Sequence, residues 1–364
     1  MNPDSYRDVI EKITIYNTLL LKKITYSLFV MLGVVILVFS LFNATAGGAA
    51  MDALGQRSDK ASQQALEIEF GLTQPFSERL LTYINDLSPL SLHTDDKNNS
   101  EKYNWAKIFS IGGNAFVIKW PYLRRSFVSK KPVGEILAPA IKCTAILASA
   151  AMLLAILGGI YLGIICALKQ NTWVDKLLLT ITNFGVSIPS FFAAVLIAWL
   201  FGYLWSSYTG LSMTGSLYDY DFETGRHIVW ANLILPAITL GIRPLSVITQ
   251  LTRNSMLDAM GMDYVRTARA KGLSEYRVLV YHALRNALNP VLTAVSGWFA
   301  SLMAGAFFVE YVFNYRGLGM VTVDALEKND LPVVMGAVVT VAFMFVLINL
   351  LVDLLYARLD PRLR

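Results

Sequence analysis

The sequence predicts an all-α integral membrane protein: six transmembrane helices, both termini cytoplasmic, and one sizeable extracytoplasmic segment between the first and second spans. Three observations predict it. Hydrophobic residues make up 55% of the 364 residues and charged residues only 16%, against about 25% charged in a soluble domain. Several apolar runs exceed the ~18 residues that argue for a membrane helix. The cations of the short loops fall on alternate sides of successive runs.

The spans read as Ile24–Ala46, Cys143–Leu168, Leu177–Trp205, Leu233–Leu251, Val291–Tyr311 and Leu331–Leu355. Each is long enough for a hydrocarbon core of about 30 Å. Arg7, Lys12, Lys22 and Lys23 precede the first span, and Lys169 and Lys176 separate the second from the third. Arg253 and the loop that follows lie between the fourth and fifth, and Arg358, Arg362 and Arg364 follow the sixth. All fall on one side if both termini are cytoplasmic; the opposite short loops hold only Arg226, Arg316 and Lys328. Long translocated regions are exempt from this bias.

The chain then divides into a cytoplasmic lead 1–23, a first helix 24–46 and an extracytoplasmic segment 47–136. A five-helix core 137–356 carries a cytoplasmic loop 258–288, and a tail 357–364 ends it. Ala44-Thr45-Ala46 offers a signal-peptide reading. The length of the apolar run and the lead before it favour an uncleaved span. Val9–Leu21 reads either as an interfacial amphipathic helix or as a plain polar lead. Around Asp95–Lys102 the polar patch reads as a flexible loop tip.

The net charge of +5 reflects topology rather than nucleic acid. Cys143 and Cys166 share one run; as a single helix it separates them by about 35 Å, beyond disulfide reach. No metal-ligand spacing and no phosphate loop occur, so neither a cofactor nor ATP hydrolysis is expected in this chain.

Asp263–Pro290 stands out as a polar, basic segment between two apolar runs, with Arg266, Arg269, Lys271, Arg277 and Arg285. Helix formers lead to Gly272, which suits a C-terminal cap, and Ser274 can cap a second helix through Leu288. Pro290 can mark a bend at the next span. On the first short helix Met262, Val265 and Ala268 share one face and Arg266 and Arg269 another. Such a helix can dock on a soluble partner or lie on anionic lipid.

This segment resembles the cytoplasmic "EAA" loop of ABC importer permeases of the dipeptide/oligopeptide/nickel group. Asp263-Tyr264-Val265-Arg266-Thr267-Ala268-Arg269-Ala270-Lys271-Gly272-Leu273, and then His282-Ala283-Leu284-Arg285-Asn286-Ala287-Leu288 before Pro290, carry the likeness. Leu72-Thr73-Gln74-Pro75, Ser187-Ile188-Pro189-Ser190-Phe191, Leu235-Pro236-Ala237, Val309-Glu310-Tyr311 with Gly317-Leu318-Gly319, and Leu359-Asp360-Pro361-Arg362 follow in the group's order. The sequence departs from the pattern in four places. Arg266 stands where the superfamily has an acid, and Arg285 where it has a proline. Ala46-Gly47-Gly48-Ala49 replaces Pro-Gly-Asp-Pro, and Arg316 replaces the proline before Gly317.

The resemblance implies an inner-membrane permease subunit that forms half of a translocation path, for di- or oligopeptides in the first instance. Nickel chelates, glutathione and short glycans are carried by similar permeases. It implies as partners a second homologous permease, two cytoplasmic ATPases and an extracytoplasmic binding protein. ATPase coupling would fall to Tyr264, Arg266, Thr267, Ala268, Arg269, Lys271, Gly272 and Leu273.

Arg243, in the fourth span, reads as a path residue meeting a substrate carboxylate or as half of a structural ion pair. Glu310 reads as a gate residue or as an interfacial structural one. Pro189, Pro236, Pro244 and Gly185 read as hinges or as ordinary kinks. An ion-coupled secondary transporter is the alternative. It would need midplane carboxylates and usually an internal repeat, and the sequence has neither. A membrane enzyme would need a nucleophile or metal constellation, and none is present.

Overall fold

The computed structural model describes residues 21–42, 74–221 and 225–359. Residues 1–20, 43–73, 222–224 and 360–364 lie outside them, and with them most of the lead, the Ala44-Thr45-Ala46 signal-peptide reading, Leu72-Thr73 and the end of the tail. The chain divides into two compact units: residues up to 139 with 321–346, and 140–320 with 347–363.

In the first unit, α1 (Leu21–Phe42) is an apolar helix long enough to span a bilayer. Its Val35, Val38 and Phe39 pack against Tyr83 of α2 (Phe76–Leu87) and Val339 of α13 (Leu331–Leu359). A three-stranded antiparallel sheet of β1 (Leu90–Thr94), β2 (Ala106–Ile111) and β3 (Asn114–Ile118) has the order β1-β3-β2. The all-α expectation is therefore corrected to a mostly helical chain with small sheets outside the spans. The patch read as a flexible tip is instead a helix, α3 (Lys97–Tyr103). Asp96 caps it, accepting a 2.7 Å hydrogen bond from Asn99 N–H.

Asp86 organises this unit. Its buried carboxylate accepts from Tyr103 Oη at 2.8 Å and lies 3.7 Å from Arg124 Nε. Its carbonyl accepts from Lys119 Nζ and Tyr122 N–H. Asp330, just before α13, accepts from Ser126 Oγ and Phe127 N–H.

Partial burial, followed by the nearby Lys119 charge, pushes His93 below its usual pKa, with Asp86 opposing. The folded unit therefore binds fewer protons than the unfolded chain just below pH 6.5, and stability falls with acidification through that window. His93 stacks on Trp105 at 5.3 Å. Trp105 fluorescence is expected to shift as pH drops below about 6.5, and to lose that shift in His93→Phe.

In the second unit α4 (Val133–Leu168), which begins in the first, is followed by α5 (Trp173–Ser187) and α6 (Ser190–Trp199), which runs on through a π-helical turn to Leu204. A short helix α7 (Ser206–Thr209) and a hairpin of β4 (Tyr218–Asp221) and β5 (Gly225–Ile228) lead to α8 (Ala231–Gly261). The third predicted span is not one straight helix: α5 and α6 are bent by 110° at Ile188-Pro189. Proline fixes φ and disfavours a helical residue before it, and Ile188 is extended at ψ 129°. Among the described residues five other helices are long and apolar enough to span, and the number rises to six if the bent pair crosses as one span.

By contrast, Pro236 and Pro244 lie inside an unbroken α8. Helix α8 approaches α4 at backbone distance, because a Cβ on Gly241 would sit 2.8 Å from Ala151 O. Small residues permit this packing between membrane helices. Gly241→Val is expected to cost about 1–3 kcal/mol through overpacking, read as a lower melting temperature in detergent.

Candidate functional site

The loop after α8 begins with α9 (Asp263–Ala270). Its apolar face is used within the chain: Val265 and Ala268 are buried against Ala167, Met256, Val278 and Ala283. Full burial of Val265 contributes about 1.5–3 kcal/mol. Met262 does not join this face. It precedes the helix in extended conformation and is exposed, because the chain turns there before α9 begins.

The helix ends as its sequence predicts. Gly272 has φ +75°; Leu273 N–H donates to Ala268 O and Gly272 N–H to Arg269 O. These are the two bonds of a Schellman cap. Leu273 packs back on the same cluster. Ser274 holds the N-cap position of the next helix, but its side chain makes no capping bond. Arg269 Nε instead pairs with Glu275 at 3.0 Å.

Helix α10 opens over Glu275–Arg277, widens into a π-helical stretch at Val278–Leu284 and continues over Arg285–Gly305. Pro290 lies inside that last section, so the irregularity falls at the π-helix rather than at the proline.

The eight residues expected to couple thus divide. Ala268 and Leu273 anchor the helix, while Tyr264, Arg266, Thr267, Arg269, Lys271 and Gly272 are exposed. Arg266 is barely engaged. Its 3.5 Å contact to Asp263 joins side chains 72% and 96% exposed, a geometry worth little.

Two features the sequence did not reveal brace this unit. Asp175 at the start of α5 is buried and accepts from Arg253 Nε and Nη2 of α8 at 2.8 and 2.7 Å, and from Asn171 N–H at 3.0 Å. Glu310 lies on α11 (Phe307–Val312) and is fully buried. Its carboxylate accepts from Thr144 Oγ1 at 2.6 Å, Gly319 N–H at 2.6 Å and Met320 N–H at 3.3 Å, at the start of α12 (Leu318–Glu327). Thr144 in turn accepts from Leu318 N–H. Arg316, where the pattern has proline, donates its N–H to Ser216 Oγ at 3.2 Å, a bond proline could not make.

Arg243 is not half of an ion pair among the described residues. Its Nη2 donates to Ile188 O at 3.3 Å, at the break before Pro189. Arg243 therefore reaches the break next to Pro189, whereas Glu310 belongs to a separate cluster.

Residues 159–364 match the family described as binding-protein-dependent transport system inner membrane component. The chain belongs to this family. Among relatives of this permease, the dipeptide transport system permease protein DppB of Alkalihalophilus pseudofirmus is 33% identical, over 92% of this chain and 96% of that protein. The DppB of Escherichia coli K12 is 34% identical, over 92% of this chain and 94% of that protein. A methionine ABC transporter in an inward-facing conformation superposes on 62% of the chain and 97% of its own, at 15% identity and TM-score 0.48. The permease is a multi-pass inner-membrane subunit and not an enzyme. It works with an ATPase component, which hydrolyses the ATP, and with a substrate-binding component.

Proposed function

We propose that the permease imports di- or oligopeptides and forms half of the translocation path beside a second, homologous permease. In this reading both termini and the loop 258–288 are cytoplasmic, and segment 47–136 is extracytoplasmic. Two ATPase subunits each receive one such loop. The observation that carries the mechanism is α9: Val265 and Ala268 fix it to the permease core while Tyr264, Arg266 and Lys271 face outward. A docked ATPase therefore moves α9 together with the ends of α8 and α10. Binding that differs between two states then rocks the spans. Arg243, Pro189 and Glu310 are assigned to the path and its gate. The peptide substrate rests on the two dipeptide permeases that match over nine-tenths of this chain.

Because Arg266 replaces an acid, the ATPase groove should present a carboxylate or backbone carbonyls to it. Arg266→Glu is expected to weaken ATPase association at least about tenfold, as for a central interface arginine, read by co-purification in mild detergent. Gly272→Val, which places a β-branched residue at φ +75°, should abolish peptide uptake while leaving the permease in the membrane. Unchanged uptake and assembly would refute the docking role. A chain that transports by itself, without ATPase subunits, would favour the secondary-transporter alternative.

A further inference from the structure

Beside the break in the third span lies a small cavity of ≈ 140 Å³. Three elements wall it: the α5–α6 junction through Ile188 and Ser190, α8 through Thr239 and Arg243, and α10 through Trp298 and Ser301. At ~30 Å³ per water it has room for about four waters, or for one carboxylate with the carbon that bears it.

Among the described residues Arg243 supplies the only formal charge in its wall. It lies about 18 Å along α8 from Ala231 and about 27 Å from Gly261, so the charge sits deep in the span. Such charges face protein or water-filled cavities and mark transport paths. The guanidinium carries five N–H donors. Ile188 O takes one from Nη2, and the enclosed Nε–H has no partner among the described residues. Helix α6 starts at Ser190, so its positive end adds to the same break. Among the described residues the wall offers hydroxyls and donors but no acid.

We infer that this cavity is a carboxylate subsite in which Arg243 receives the C-terminal carboxylate of a peptide in transit. The inference rests on the peptide reading and deepens it. A terminal carboxylate is the one anion every peptide carries whatever its sequence, so one arginine serves many cargoes. Occupancy would also draw the guanidinium from Ile188 O, loosening the contact at the 110° bend and tying cargo to the hinge.

The test uses the full transporter in proteoliposomes, with the binding protein loaded in turn by one dipeptide and by its C-terminal amide. Uptake of each is measured for wild type, Arg243→Gln and Arg243→Lys. The ratio of carboxylate to amide uptake should fall about tenfold in Arg243→Gln, the discrimination expected of one charge-assisted hydrogen bond. It should be partly restored in Arg243→Lys. An unchanged ratio, or an equal fall for both peptides, would overturn the subsite and leave Arg243 as a structural cap on α5. Failure of the wild type to import either peptide would overturn the peptide reading and the subsite together.

Discussion

Asp175→Ala is expected to destabilise the permease by about 3–5 kcal/mol, the cost of breaking a buried pair by removing one partner. The carboxylate is buried and takes two hydrogen bonds from Arg253, whose own side chain is 16% exposed. Alanine leaves that guanidinium in place without its counter-charge and releases Asn171 N–H. Asp175→Asn keeps an acceptor and should cost less. Melting in detergent measures both, and Arg253→Met in the Asp175→Ala background should recover part of the loss. Equal stability of wild type and Asp175→Ala would show that the pair contributes nothing.

Glu310→Ala is expected to cost a comparable amount, about 3–5 kcal/mol. Three donors lose their acceptor at once: Thr144 Oγ1 and the N–H groups of Gly319 and Met320. Each unsatisfied buried donor costs about 1–3 kcal/mol, and relaxation of the short loop recovers some of the sum. Glu310→Gln retains one acceptor oxygen but turns an NH₂ toward the donors, so it should fall between wild type and alanine. If the loop from α11 to α12 forms part of a gate, uptake will fall in both variants in the same order as stability.

Most of the spans were legible because hydropathy and length decide them. The α9 cap was legible too, since Gly272 followed by an apolar Leu273 is a local signal and both cap bonds close within six residues. The bend at Ile188-Pro189 was half legible. The proline stood in the sequence, but an apolar run gives no direction, so Leu177–Trp205 read as one span. Helix α3 was misread because it is polar on every face; the capping residue Asp96 was the available sign.

Asp175–Arg253 and Glu310–Thr144 were not legible. Their partners are 78 and 166 residues apart, and no local period encodes such a pairing. Met262 failed for a related reason. Spacing placed it on the apolar face, but the chain is extended at that residue, and helical spacing holds only inside a helix.

In the proposed mechanism an ATPase subunit grips this permease at α9. Site-specific disulfide cross-linking tests this contact, from Arg266→Cys to cysteines placed in the ATPase groove, with Trp230→Cys before α8 as control. The native Cys143 and Cys166 are both buried, which limits background. A cross-link from position 266 that changes in yield with ATP, and none from 230, is expected. A fully assembled, ATP-hydrolysing complex with no cross-link from position 266 would show that the ATPase docks elsewhere.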